Sequence, residues 1–77
     1  MKEDNFKYEV VERIAVLSEA GANTKELNKV SYNGGAAKYD IRQWRNVDGE
    51  VRMLKGITLT DEEAKALKEA LNAREDI

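Results

Sequence analysis

The sequence predicts an α+β domain: a four-stranded antiparallel curved sheet followed by one C-terminal helix, in the order β-β-β-β-α and paired as a homodimer. Three observations predict it. Lys38-Tyr39-Asp40-Ile41-Arg42-Gln43-Trp44 alternates at the two-residue period of a strand. Asn33-Gly34-Gly35 precedes it as a hairpin turn, because glycine accepts positive φ without steric cost. Thr60-Asp61-Glu62-Glu63 then opens a helix: Thr60 can cap the Glu63 amide, Glu63 can reach back, and the acids suit the positive end of the helix dipole.

The elements follow in order. The first strand is expected at about 6–17, where Phe6, Tyr8, Val10, Ile14 and Val16 alternate with Lys7, Glu9, Val11, Arg13, Ala15 and Leu17. Its Val10-Val11 pair and apolar Ile14–Leu17 run imply either that both faces become covered or that a bulge shifts the phase. Residues 18–24 read as a loop. The second strand is expected at about 25–33, the third at 38–45 and the fourth at 52–59, with Asn46-Val47-Asp48-Gly49 as the intervening turn. Ala64, Leu67, Ala70 and Leu71 recur at three- and four-residue spacing, which places an amphipathic helix at about 61–74. Leu67, Leu71, Ile41 and Ile57 are the expected core or dimer residues.

Seventy-seven residues suffice for one domain, 1–77, with a thin stability margin. With no Cys and no His, the chain can form no disulfide and lacks the usual zinc and iron ligands. Self-association is the remaining remedy for a small core, hence the expected homodimer. No metal or cofactor is expected. The thiol nucleophile and the commonest general base are absent too, so no enzyme is expected. Asp48-Gly49-Glu50 reads as ordinary turn chemistry. No apolar run approaches the roughly 20 residues of a membrane span. Met1-Lys2-Glu3-Asp4-Asn5 lacks the apolar segment of a secretory signal, so the cytoplasm is the expected location.

The net charge of −2 is unevenly spread. Residues 25–55 hold seven basic and four acidic groups, a balance of +3, against −2 before them and −3 after. Within the third strand, Lys38, Asp40, Arg42 and Trp44 share one face, which reads as wet. Tyr39, Ile41 and Gln43 share the other, which reads as core. An indole beside fixed cations can hold an anionic polymer with stackable bases, so single-stranded nucleic acid is the expected ligand. Arg42, Trp44, Lys38, Lys29, Lys25, Arg45, Arg52 and Lys55 are the candidate contacts. The competing readings are that Trp44 fills a dimer interface and that Arg42 pairs with Asp40.

Three strings occur in order: Asp40-Ile41-Arg42-Gln43-Trp44, a turn with Asp48-Gly49-Glu50, and Lys55-Gly56-Ile57-Thr58-Leu59-Thr60 before an acidic helix start. Together they resemble the positive cofactor four family of transcriptional coactivators, and in particular its bacterial YdbC-like branch. The resemblance extends upstream through Val16-Leu17-Ser18-Glu19 and Lys25-Glu26-Leu27-Asn28-Lys29-Val30-Ser31. It implies a homodimer whose curved sheets bind single-stranded DNA with little sequence preference, with single-stranded RNA as an alternative ligand. By position it implies binding roles for Arg42, Trp44, Arg52 and Lys55, and transcription or replication proteins as further partners. At about Asn33, where eukaryotic members carry an aromatic residue, this chain has none; Tyr32 is adjacent but of opposite parity. The rival expectation is a protein-interaction module that docks on transcription or replication machinery.

Overall fold

The computed structural model describes residues 7–77. The expected strand start at Phe6 and the amino-terminal segment Met1–Asn5 lie outside the described residues. Strands β1 (Tyr8–Ala20), β2 (Asn23–Tyr32), β3 (Lys38–Val47) and β4 (Glu50–Leu59) precede helix α1 (Asp61–Asn72). The strands form one antiparallel sheet in the order β1-β2-β3-β4, each hairpin joining neighbours.

β1 runs through Ser18–Ala20, a stretch expected to be loop. Three register shifts against β2 account for its length. They leave Val11, Ile14 and Leu17 without a cross-strand partner, so the phase drifts and the alternation blurs. The turn to β2 shrinks to Gly21-Ala22, with Gly21 at φ +60°. The β2–β3 connection begins with Asn33 at φ +52° and Gly34 at φ +78°. Asn33 also clamps the start of β1: its Oδ1 accepts from the Lys7 amide at 2.8 Å, and its own amide donates to the Lys7 carbonyl at 2.8 Å.

β3 and β4 approach so closely at Gly56 that no side chain fits. A Cβ there would lie 2.5 Å from the Ile41 carbonyl oxygen and 2.6 Å from Arg42 Cα. Immediately beyond, a register shift between Arg42 and Trp44 inserts an irregularity into β4.

α1 opens with the expected reciprocal cap. Thr60 Oγ1 accepts from the Glu63 amide at 3.0 Å, and Glu63 Oε1 accepts from the Thr60 amide at 2.8 Å. The helix ends at Asn72 rather than 74, where the Arg74 amide turns back to the Leu71 carbonyl at 3.1 Å in a tighter turn. None of its residues is buried. Leu67, Leu71 and Ile57, expected in the core or a dimer contact, are exposed in the single chain, and Ile41 is half-buried. Among the described residues no helix is long and apolar enough to cross a membrane.

Candidate nucleic-acid interface

The cross-strand register sorts the side chains onto two faces. Tyr32, Val30, Asn28, Glu26 and Thr24 of β2 share a face with Asp40, Arg42 and Trp44 of β3 and with Thr58 and Met53 of β4. The parity read from the sequence is correct, but its sidedness is reversed. Val30 and Trp44 are the buried hydrophobic residues of the described chain, and Glu26, Asn28 and Asp40 are buried with them. Trp44 is 4% exposed and therefore presents no ring to solvent.

Curvature explains the reversal. Tyr8 pairs with Tyr32 and Trp44 with Thr24, eight residues apart on β2, or about 26 Å along a flat strand. Their ring centroids are nonetheless 5.7 Å apart, tilted at 53°. The sheet coils toward this face and encloses the polar side chains between the two rings.

Most of those side chains satisfy one another, while Asn28 Oδ1 and Trp44 Nε1 are buried without a hydrogen-bond partner among the described residues. The Asp40 carboxylate accepts from Arg42 Nε at 3.0 Å and Nη2 at 2.9 Å, from the Tyr32 hydroxyl at 2.7 Å and from Thr58 Oγ1 at 3.1 Å. Arg42 Nη1 donates to the Leu54 carbonyl at 2.9 Å, in the irregularity beside Gly56. Arg42 is thus a structural cation, and the competing reading of an Asp40 pair is what the fold contains, buried rather than solvated. The hydrogen bond to Asp40 is the main cause that raises the guanidinium pKa above its usual value. Burial and the bond to Asp40 likewise raise the Tyr32 phenol, which stays a donor.

A second cluster surrounds Glu26. Its carboxylate accepts from Thr24 Oγ1 at 2.7 Å, Asn28 Nδ2 at 3.1 Å and Arg13 Nη2 at 3.1 Å. Burial alone would raise the Glu26 pKa, but these three donors outweigh it and the net shift is downward.

The opposite face divides along its length. One half carries Leu27, Tyr39, Ile41 and Leu59, which with Leu17 and the helix residues Ala64, Leu67 and Leu71 line an open groove of about 640 Å³. Lys29 lies on this face with its Nζ 4.8 Å above the centre of the Tyr39 ring, an interaction that ties it down. The other half lies beyond the helix and is polar: Lys25 is paired with Gln43, and Arg45 with Arg52. Lys25, Arg45 and Arg52 are exposed. Among the described residues Arg45 donates only to the neutral Asn23 Oδ1, at 3.1 Å, and Arg52 reaches Glu50 at 3.4 Å with both side chains about 70% exposed, a weak pair.

Five of the eight candidate contacts are therefore solvent-facing: Lys25, Lys38, Arg45, Arg52 and Lys55. Three of these meet on the helix-side face. Lys38 stands on the opposite face at the start of β3, and Lys55 lies in the β4 irregularity. Trp44 is buried, the Arg42 side chain is largely enclosed at 13% exposed, and Lys29 is half-buried. Tyr8 and Arg13, outside the candidate contacts, also lie on the polar face and are exposed. Their signal was the alternation of β1, obscured by its bulges. Among the described residues no cluster of three or more acidic side chains could hold a metal ion.

Residues 20–70 match the family model described as Transcriptional Coactivator p15 (PC4). A protein of Treponema pallidum (strain Nichols) described as uncharacterized is 42% identical over 71 residues, covering 91% of this chain and 81% of that protein.

Proposed function

The chain belongs to the Transcriptional Coactivator p15 (PC4) family, and from that premise we propose that it is a homodimer that binds single-stranded DNA with little sequence preference. Nucleic-acid binding and a coactivator-like role are the broad expectation for the family. The observation that carries the finer reading is the pairing of Arg45 with Arg52 directly across β3 and β4. Like charges opposite each other destabilise a sheet. A bound phosphate reverses the sign of that interaction, and Lys25 on the same face adds to the field. Lys38 and Lys55 extend the cationic surface beyond this patch.

Phosphate contact explains affinity; shape explains the preference for single strands. A flexible strand can follow a coiled, bulged sheet, whereas a duplex with a persistence length of about 150 base pairs cannot. The apolar half of the same face and the unburied helix are assigned to the second copy, because Leu67, Leu71 and Ile57 would otherwise remain in water. The broader biological use is at DNA opened during transcription, replication or repair, and single-stranded RNA is the alternative ligand.

The test is fluorescence anisotropy of labelled oligothymidylate and of a matched duplex across a salt series. Tighter binding of the single strand is expected, and equal affinity for both refutes the reading. Replacing both Arg45 and Arg52 with Ala is expected to lower the steepness of log K against log salt by about 1.4, at roughly 0.7 per phosphate contact on single strands. A protein-docking module would show no salt-dependent oligonucleotide binding to lose.

A further inference from the structure

The binding reading leaves the bases without a partner, since the indole expected to stack them is enclosed. Among the described aromatic residues Tyr8 is the most accessible. Tyr39 is half-buried, with the Lys29 ammonium over its ring. Tyr32 is half-buried, with its hydroxyl on Asp40. Trp44 is closed. Tyr8 is 37% exposed, and its ring lies against Trp44 with the centroids 5.7 Å apart.

That combination suits a stacking platform. A tyrosine ring offers a broad apolar surface with few rotatable bonds. The backing by a buried indole removes part of the remaining freedom before any ligand arrives. Arg13 lies on the same face with its side chain 69% exposed, its guanidinium braced by one hydrogen bond to Glu26. Four of its five N–H donors remain for an anion. The platform is also close to the cationic patch, because Trp44 and Arg45 are consecutive and their side chains leave opposite faces of β3. A strand that turns over this end of the sheet meets both.

We propose that Tyr8 stacks a nucleobase of the bound strand, with Trp44 as the positioning residue that holds its ring and Arg13 taking a neighbouring phosphate. The proposal rests on the single-strand reading and deepens it. Stacking on a ring face discriminates little among bases, which agrees with low sequence preference.

The test uses the native protein first. Oligonucleotides carrying 5-iodouracil are irradiated in the complex and the crosslinked residue is mapped, with Tyr8 the expected site. Affinity for oligothymidylate is then compared for Tyr8→Phe, expected within about twofold of native, and Tyr8→Leu, expected to fall about 5- to 150-fold. Trp44→Phe should lower crosslinking at Tyr8 without changing the salt dependence set by Lys25, Arg45 and Arg52. Circular dichroism establishes that each variant is folded. A native complex that crosslinks elsewhere, or a folded Tyr8→Leu that binds like native, overturns the stacking role and leaves the single-strand reading intact. Native protein that binds single strand and duplex alike overturns both.

Discussion

Asp40→Asn removes one charge from a site with no room for error, and its effect follows from the hydrogen-bond geometry. Asp40 is fully buried, and the Arg42 side chain is 13% exposed. The carboxylate receives donors from Arg42, Tyr32 and Thr58. An asparagine keeps one acceptor oxygen and turns an NH2 group toward donors that already need acceptors. Removing one partner of a buried ion pair costs about 3–5 kcal/mol, because the other charge stays desolvated and unpaired. A chain of this size has a total stability on the order of 4–12 kcal/mol. The expected loss therefore lowers the melting temperature by roughly 12–40 °C, at about 4–8 °C per kcal/mol. The assay is thermal and urea unfolding at fixed protein concentration, followed by circular dichroism and by Trp44 emission, since the indole sits on the same face. In a double-mutant cycle, adding Arg42→Met should recover part of the loss, because the stranded cation goes with it. A loss under about 1 kcal/mol with Arg42 in place would refute the enclosed pair.

Further outcomes follow from the same geometry. The Glu26 pKa is lowered in the fold, so its contribution is complete above its unfolded value and is lost as pH falls through the folded one; Glu26→Gln should flatten the acid limb of stability below about pH 4.3, read from urea midpoints across a pH series. Gly56→Ala should cost about 3 kcal/mol or more, at the top of the overpacking range, because its Cβ would meet backbone rather than a yielding side chain; equilibrium unfolding measures it. On the proposed homodimer, the native chain should sediment as a dimer and Leu67→Asp combined with Leu71→Asp as a monomer; a native monomer would refute the dimer, and a variant that stays dimeric would remove the groove from the interface.

The elements were legible in the sequence because each rests on local chemistry. Thr60 with Glu63 marks the helix start, the Asn33-Gly34 turn marks a hairpin, and alternation marks β3. Alternation fixes which residues share a face but not which face is enclosed. Glu26, Asn28, Asp40 and Arg42 look like a wet surface one strand at a time. Only in register do they become a matched set: Tyr32 and Thr58 reach Asp40 from the flanking strands, and Arg13 reaches Glu26 from β1. Polar groups that satisfy one another can be buried at modest cost. Coiling of the sheet, which brings Tyr8 onto Trp44, then completes the enclosure. Mutual satisfaction across strands was the available clue, and it required the register.

The cationic patch depends on a finer detail still. Arg42 pairs with Gly56, and unbroken pairing from there would set Arg45 against Met53 and Asn46 against Arg52. Arg52 would then point to the enclosed face. The one-residue shift between Arg42 and Trp44 moves Met53 inside, against the indole, and turns Arg52 outward, opposite Arg45. The tight approach at Gly56 and the Arg42 bond to the Leu54 carbonyl lie at the two ends of that shift. The same buried guanidinium that leaves the surface therefore helps hold the irregularity that sets two others side by side upon it. Neither half of that arrangement is visible in a periodicity, because an inserted residue reverses the parity of every strand position beyond it.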